Sequence, residues 1–286
     1  MRGRDAGVTL INVLVVLAIT SGLVVLLLRQ QEAGQDSIGR AAALAQAEQI
    51  ALGAEASVLA ALRSDLDTAP DEDHFAEPWA GVIQDEVALP DGRFSVSVRD
   101  RQAKFDINLL IAPAVGPQTL FLRLTARLGI EEAEARRIVE TLLLSGRIDS
   151  LQALERGGTA PETLALLEPH VTALPLPATI NLNTVGPLLL GVLFQNPGIT
   201  SQVLFRREAE GRVTREMLSA MGALRPGLTD FASDNWEVDI LAESGAAQVR
   251  LRTVIYRKSE LGQKTIRLIS RRIVAPVAPM KETERP

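Results

Sequence analysis

Residues 1–29 read MRGRDAGVTLINVLVVLAITSGLVVLLLR. A short polar leader carrying Arg2 and Arg4 ends at Gly7. From Val8 to Leu28 the chain is apolar, broken only by Thr9, Asn12, Thr20, Ser21 and Gly22, and Arg29 closes the run. As a helix this run is about 31 Å long, enough to cross the hydrocarbon core of a bilayer. A cleaved secretory signal has an apolar core of about 7–15 residues followed by a small-residue cleavage site. This run is longer, and no such site stands near its end. The segment therefore reads as an anchor, with Arg2 and Arg4 holding its start on the cytoplasmic side.

The anchor does not stop at Arg29 as a helix. Residues 30–66, QQEAGQDSIGRAAALAQAEQIALGAEASVLAALRSDL, are rich in Ala, Gln, Glu and Leu, all strong helix formers. Leu44, Ala47, Ala51, Ala54, Val58, Ala61 and Leu62 recur at steps of three and four. The spacing predicts one helix from about Thr9 to Arg63, roughly 80 Å long, half of it in lipid and half amphipathic outside. Gly34, Gly39 and Gly53 weaken it locally.

Composition bounds what hangs from this helix. The chain has 286 residues, a net charge of −5 and no cysteine. After the helix roughly 220 residues remain, enough for one or two domains. The acidic balance argues against a nucleic-acid surface as the main business. Without cysteine there are neither disulfides nor thiolate metal sites. The two histidines, His74 and His170, are far apart in sequence, which argues against a His-based catalytic or zinc centre. Residues 65–79, DLDTAPDEDHFAEPW, gather Asp65, Asp67, Asp71, Glu72, Asp73, His74 and Glu77. The EF-hand spacing is absent, and the stretch reads as a solvated acidic turn.

Period-two patterns follow. VIQDEVALP (82–90), RFSVSVRD (93–100) and AKFDINLL (103–110) read as three strands, with Arg99–Gln102 as a hairpin connection. WEVDILAE (236–243), QVRLRTVIYR (248–257) and TIRLISRRIV (265–274) read as three more. Between the groups, helical spacing dominates: Phe121, Leu124 and Leu128, then Ile138, Leu142 and Leu143. Asp149 or Ser150 is a candidate cap for one short helix, and Asn181, Asn183 and Thr184 for the helix that Pro187 starts. The expected fold is α+β: a long N-terminal helix packed on an antiparallel sheet, with a large all-helical insertion domain. The expected divisions are 1–7 leader, 8–29 membrane helix, 30–110 with 231–276 as the discontinuous α+β domain, 111–230 insertion, and 277–286 frayed tail.

The order of residues in AGVTLINVLVVLAI resembles the leader and cleavage region of type IV prepilins and type II secretion pseudopilins. The resemblance implies cleavage after Gly7 by a prepilin peptidase and N-methylation of Val8. Two departures stand out: Val8 replaces the usual Phe, and Asn12 replaces the usual Glu at the fifth mature position. That Glu is thought to pair with the N-terminal ammonium of a neighbouring subunit, since a charge buried in the filament needs its partner. The K-type minor pseudopilin is the family member that lacks it, as fits a subunit at the filament tip. Three further segments are similar to that type. These are Phe105-Asp106-Ile107-Asn108-Leu109-Leu110, the IDSLQAL and LLEPHVTALP stretches, and above all Ile180-Asn181-Leu182-Asn183-Thr184. Together they cover nearly the whole chain.

The resemblance implies a single-pass protein of the bacterial inner membrane, embedded in its lipid, with the C-terminal domain in the periplasm. Its partners would be the I and J minor pseudopilins and the pseudopilus, with the secretin and exported substrates beyond. Calcium is known for the family, but the acidic strings expected to bind it are missing, because LLLSGRIDSLQAL runs straight across that place. No cofactor or metal ligand is therefore assigned, and Asp106, Asp149 and Glu168 read as isolated carboxylates. No G-x-S-x-G, H-E-x-x-H or Walker loop marks an enzyme. Two alternatives share parts of the pattern. A minor pilin of a type IV pilus would have the leader but not the INLNT insertion. A membrane-anchored helix-hairpin-helix nucleic-acid binder would use INLNTVGPLLLGVL, LGIEEAEARRIV and the cluster Arg206, Arg207, Arg212 and Arg215. Glu208, Glu210 and Glu216 interleave that cluster, so it reads as a mixed, solvated helical face.

Overall fold

The computed structural model describes residues 5–112, 114–260 and 263–274. Helix α1 runs unbroken from Asp5 to Thr68, 64 residues or about 96 Å. It is longer at both ends than its periodicity predicts. Its first half is bare: Val13 to Leu28 are all exposed. By length and composition this is the one described helix able to cross a membrane. From Ala47 onward one stripe is buried, comprising Ala47, Ile50, Ala51, Ala54, Val58, Leu62 and Leu66. Three alanines in that stripe bring the helix axis close to the surface it covers.

That surface is a five-stranded antiparallel sheet. Its strands are β1 (Gln84–Leu89), β2 (Gly92–Asp100), β7 (Asn235–Ser244), β8 (Ala247–Glu260) and β9 (Gln263–Val274), in that spatial order. The strands before and after the long intervening segment thus join directly, with Val96 opposite Ile240. Val96, Val98, Trp236, Val238, Ile240, Val249, Leu251 and Ile255 face α1 and form the first core. The alternating residues Ser95, Ser97, Asp239 and Arg252 face the other way, as the period of two requires. The β7–β8 hairpin closes through Gly245 at φ +55°, a left-handed position that glycine takes without a Cβ clash.

AKFDINLL departs from the strand expected there. Only Phe105–Asp106 is extended (β3), and it pairs in parallel with β4 (Val171–Thr172) rather than in a hairpin with β2. Two aspartates explain the change. Asp100 accepts the backbone N–H of Gln102, and Asp106 that of Asn108. Each caps a 3-10 turn, Arg101–Ala103 and Ile107–Ile111, and so interrupts the extended run at both ends. Ile107 and Leu110 are still buried, but by a helical turn rather than by a strand face.

The intervening segment is mainly helical: α2 (Val115–Arg127), α3 (Glu132–Ser145), α4 (Ala153–Arg156), α5 (Pro161–Leu167), α6 (Pro187–Phe194), α7 (Pro197–Glu210) and α8 (Arg215–Ala220). Two two-residue strands, β5 (Ile180–Asn181) and β6 (Thr229–Asp230), pair in parallel within it. Its own core is separate from that of the sheet and includes Phe105, Phe121, Leu124, Ile138, Leu142, Leu190 and Val203. The side-chain caps expected at Asp149 or Ser150 and at Asn181, Asn183 and Thr184 do not form. Gln152 and Gly186 hold the N-cap positions, with no side-chain cap bond. The asparagines are engaged elsewhere, as described below.

Gly92 sits where β1 turns into β2, tight against β7. A Cβ there would lie 2.1 Å from the Glu243 carbonyl oxygen and 2.9 Å from Ile50 Cδ1. Backbone cannot yield as a side-chain tip can. Gly92→Ala is expected to destabilise the fold by about 2 kcal/mol, read as a lower urea midpoint at an unchanged m-value.

Candidate functional site

The residues singled out by sequence fall in two places. Gly7, Val8 and Asn12 lie on the backbone of α1, at its start. Met1–Arg4 of the leader, and the tail beyond Val274, are outside the described residues. Ile180–Thr184 lies at the other end of the molecule, at the joint between the sheet and the helical lobe.

Alternation decides what Ile180–Thr184 does. Ile180 and Leu182 point into the helical core, fully buried. The residues between them point into the joint. The Asn181 amide donates to the Asp73 carbonyl (3.0 Å), to Asp100 Oδ2 (3.1 Å) and to Ser233 Oγ (2.9 Å). Its own oxygen accepts the Asn183 N–H, and the Asn183 oxygen accepts the Val213 N–H at 2.7 Å. The Thr184 hydroxyl donates to Asp100 Oδ2. Asp100, the last residue of β2, thus accepts from Asn181, Thr184 and Ser233 on one oxygen and from Gln102 N–H on the other. Burial pushes its pKa up, and those four donors oppose the shift. Gln102 completes the joint: its oxygen accepts N–H groups of Asp234 and Asn235, and its amide donates to the Thr179 carbonyl. INLNT is therefore a seam with an apolar side and a polar side. The cap position before Pro187 falls to Gly186, which leaves these polar side chains to the joint.

A second buried cluster adjoins this seam, and it corrects the reading of residues 65–79 as a solvated turn. Asp65, Asp73, His74 and Glu77 are all buried. The guanidinium of Arg257, from β8, donates to Asp65 Oδ2 (2.6 Å) and to the Leu62 carbonyl (3.0 Å), and pairs with Asp73. It also stands 4.9 Å over the Trp236 ring. Glu77 Oε2 accepts the His74 N–H and the Trp79 Nε1–H, both at 2.8 Å. Arg257 and Trp236 are remote in sequence from this loop, so spacing alone gave no sign of the cluster.

Asp65, Asp73 and Glu77 each bring a carboxylate oxygen within 4.8 Å of the others, the one such group among the described residues. The cation held there is the arginine. In the helical lobe, Asp106 Oδ1 is taken by the N–H groups of Asn108 and Leu174, while Asp149 and Glu168 are exposed and apart. These residues do not fit the six to eight oxygens that calcium takes. The basic cluster of α7 and α8 is largely spent inside the chain. Arg206 pairs with Glu210, Arg207 donates to the Val185 carbonyl, and Arg212 pairs with Glu72.

No protein-family model matches the chain. It is 29% identical to the type II secretion system protein K of Pseudomonas aeruginosa, over 74% of this chain and 75% of that protein. Its fold matches a chain of the crystal structure of the GspK–GspI–GspJ complex from enterotoxigenic Escherichia coli. That match has a TM-score of 0.61 and 18% identity, and covers 86% of this chain and 100% of that one. The chain is a relative of the K-type minor pseudopilins of type II secretion. The long helix, the split sheet and the inserted lobe are thus shared, as a fold, with the matched chain. Both the relative and the matched structure are components of a secretion apparatus.

The buried carboxylates give the chain a pH signature. Burial raises Glu77 from 4.5 to about 7, and Asp106 and Asp234 to about 6. For a carboxyl group whose folded pKa is raised, the folded state binds the proton more tightly than the unfolded chain does. Stability from Glu77 is thus fully present below pH 4.5 and is lost as the pH rises to about 7. His74 and His170 act in the opposite sense, since burial lowers both below 6.5 and protonation favours unfolding. Comparison with Glu77→Gln isolates the carboxyl. The variant is expected to gain melting temperature relative to the wild type between pH 5 and pH 8. Parallel curves over that range would contradict it.

Proposed function

We propose that this chain caps the tip of a periplasmic pseudopilus, with the helical lobe as the cap. The observation that carries this reading is where the lobe sits. The β7–β8 turn at Gly245 lies beside Ala43, towards the anchor, whereas Arg257 and Asp100 stand level with the far end of α1 at Leu62 and Asp65. The lobe is sewn to that far end through Asn181, Thr184 and Gln102. Its bulk is distal to the membrane, where a capping subunit needs it and where a subunit within the shaft would obstruct the next. The exposed apolar half of α1 is held in the inner membrane until assembly, then packs with the helices of other pseudopilins. Val13, Val16, Leu17 and Val24 are among the apolar side chains available for that packing.

On this reading the leader remains cytoplasmic, the folded part is periplasmic, and a prepilin peptidase cuts after Gly7 and methylates Val8. The chain works by assembly rather than by catalysis. The I and J minor pseudopilins are its direct partners, as they are of the K protein in the matched complex. Asn12 at the fifth mature position removes a carboxylate that would need an ammonium ahead of it, and at a tip no subunit lies ahead. A nucleic-acid-binding role is disfavoured by the internal engagement of Arg206, Arg207 and Arg212.

Two substitutions test the leader and the tip separately. A residue larger than alanine at Gly7 is expected to leave the precursor unprocessed. N-terminal sequencing that still found a mature chain beginning at Val8 would count against the cleavage site. Asn12→Glu is expected to leave processing unchanged and to admit the subunit below the tip. Cross-linking or immunogold labelling of sheared pseudopili would then find it along the shaft. Labelling still confined to one end would remove Asn12 as a determinant.

A further inference from the structure

We propose that the free edge of β9 takes an extended, acidic segment of a partner protein as a sixth strand. β9 is the outermost strand of the sheet and runs 12 residues, and among the described residues no strand pairs with its outer side. Its sequence, QKTIRLISRRIV, has no proline to spoil the ladder.

The charge on this edge is one-sided. On the sheet face away from α1, β8 and β9 carry Arg250, Arg252, Lys258, Arg267 and Arg272. Arg250 and Arg252 share one carboxylate, Asp239, and Lys258 pairs with Glu260, which leaves Arg267 and Arg272 of β9 without an ion pair among the described residues. Arg252 stands directly opposite Arg272, and its buried Nε–H has no acceptor. Like charges facing each other across strands are destabilising. The ion pairs that β9 does make, Lys264 with Asp67 and Arg271 with Glu55, lie towards α1. In a chain of net charge −5, such an accumulation is a local feature and not a reflection of composition. Charged edges commonly protect a sheet from pairing with its own kind. These cations repel a second β9, but they attract a strand of opposite charge.

The other side of the same strand is apolar. Leu268 and Ile273 face the side of α1 yet remain exposed, at 40% and 64%. An incoming strand that alternates acidic and apolar residues meets Arg267 and Arg272 with one face and Leu268 and Ile273 with the other. A bulge at Ile269 turns that side chain onto the outer face, into a groove shared with the helical lobe. Asp149, Glu155 and Glu168 line the far wall of the groove and confine an acidic strand to its β9 side.

Anionic lipid does not fit this position. Thr253, opposite Arg271, bonds Glu55 of α1, so the patch stands about 39 Å of helix beyond Arg29. Screening at physiological salt acts over about 8 Å.

The test uses the full-length chain in detergent and a fluorescein-labelled nine-residue peptide alternating glutamate and valine. At about 50 mM salt the peptide is expected to bind and to slow hydrogen exchange of β9 amides at least about tenfold. Affinity is expected to fall about tenfold in Arg267→Glu/Arg272→Glu, and several-fold at about 300 mM salt. If the charge-reversed variant misfolds by circular dichroism, Arg267→Ala/Arg272→Ala replaces it, with about a threefold loss expected. Equal binding of a lysine–valine peptide overturns the proposal, as does binding without protection of β9. A salt-sensitive self-association through this edge, or binding of a duplex oligonucleotide in preference to the acidic peptide, assigns the surface to another occupant and overturns it as well.

Discussion

One buried carboxylate holds the two halves of this protein together. Asp100 ends the second strand of the sheet, at the point where the chain leaves for the helical lobe. Although Arg99 and Arg101 flank it in sequence, no ion pair reaches it among the described residues: Arg99 turns to Glu237 and Arg101 to the Ala173 carbonyl. Its charge is met by four neutral donors instead: one from the next turn, two from the INLNT segment of the lobe, and one from Ser233 on the returning chain. A buried carboxylate that loses a donor is left with the full penalty of desolvation, about 1–3 kcal/mol or more. The departing chain, the lobe and the returning chain therefore hold their positions together. Two separate apolar cores would otherwise have little reason to keep a fixed relation.

A neighbouring joint uses the opposite chemistry. Arg257 brings a cation among Asp65 and Asp73, so the end of the long helix, the loop after it and strand β8 are tied by charge. Buried pairs of this kind are weak arguments for stability but strong constraints on geometry, because breaking one partner strands the other. The neutral seam and the charged one sit side by side, with Asp73 belonging to both through Ser233 and Asn181.

The long helix, the strands β2, β7, β8 and β9, and the helical character of the lobe were legible because each is decided by local periodicity. The joints were not. INLNT was recognisable as a pattern, but its polar residues read as helix caps, since Pro187 supplies a helix start close by. Their real partners, Asp100, Ser233 and Val213, lie about 30 to 80 residues away. Asp65, Asp73 and Glu77 read as solvated because six acidic side chains in one loop ordinarily are. Arg257 and Trp236, which help to bury them, come from the distant strands β8 and β7. AKFDINLL alternates as a strand should, and only the capping by Asp100 and Asp106 turns it aside.

Helix α1 also has a mechanical meaning. It is a single rod from the anchor to the joint, so an axial push at its base arrives at the lobe undiminished. Sideways stiffness is another matter. Between Gln30 and Gln46 the described side chains are exposed or half-buried, and Gly34 and Gly39 have no neighbouring atom within contact distance of where a side chain would begin. Glycine costs a helix about 1 kcal/mol relative to alanine. This stretch, unsupported by lipid below or sheet above, is the compliant coupling of the rod. A subunit drawn from a flat bilayer into a curved bundle can tilt its head there without straining either seam.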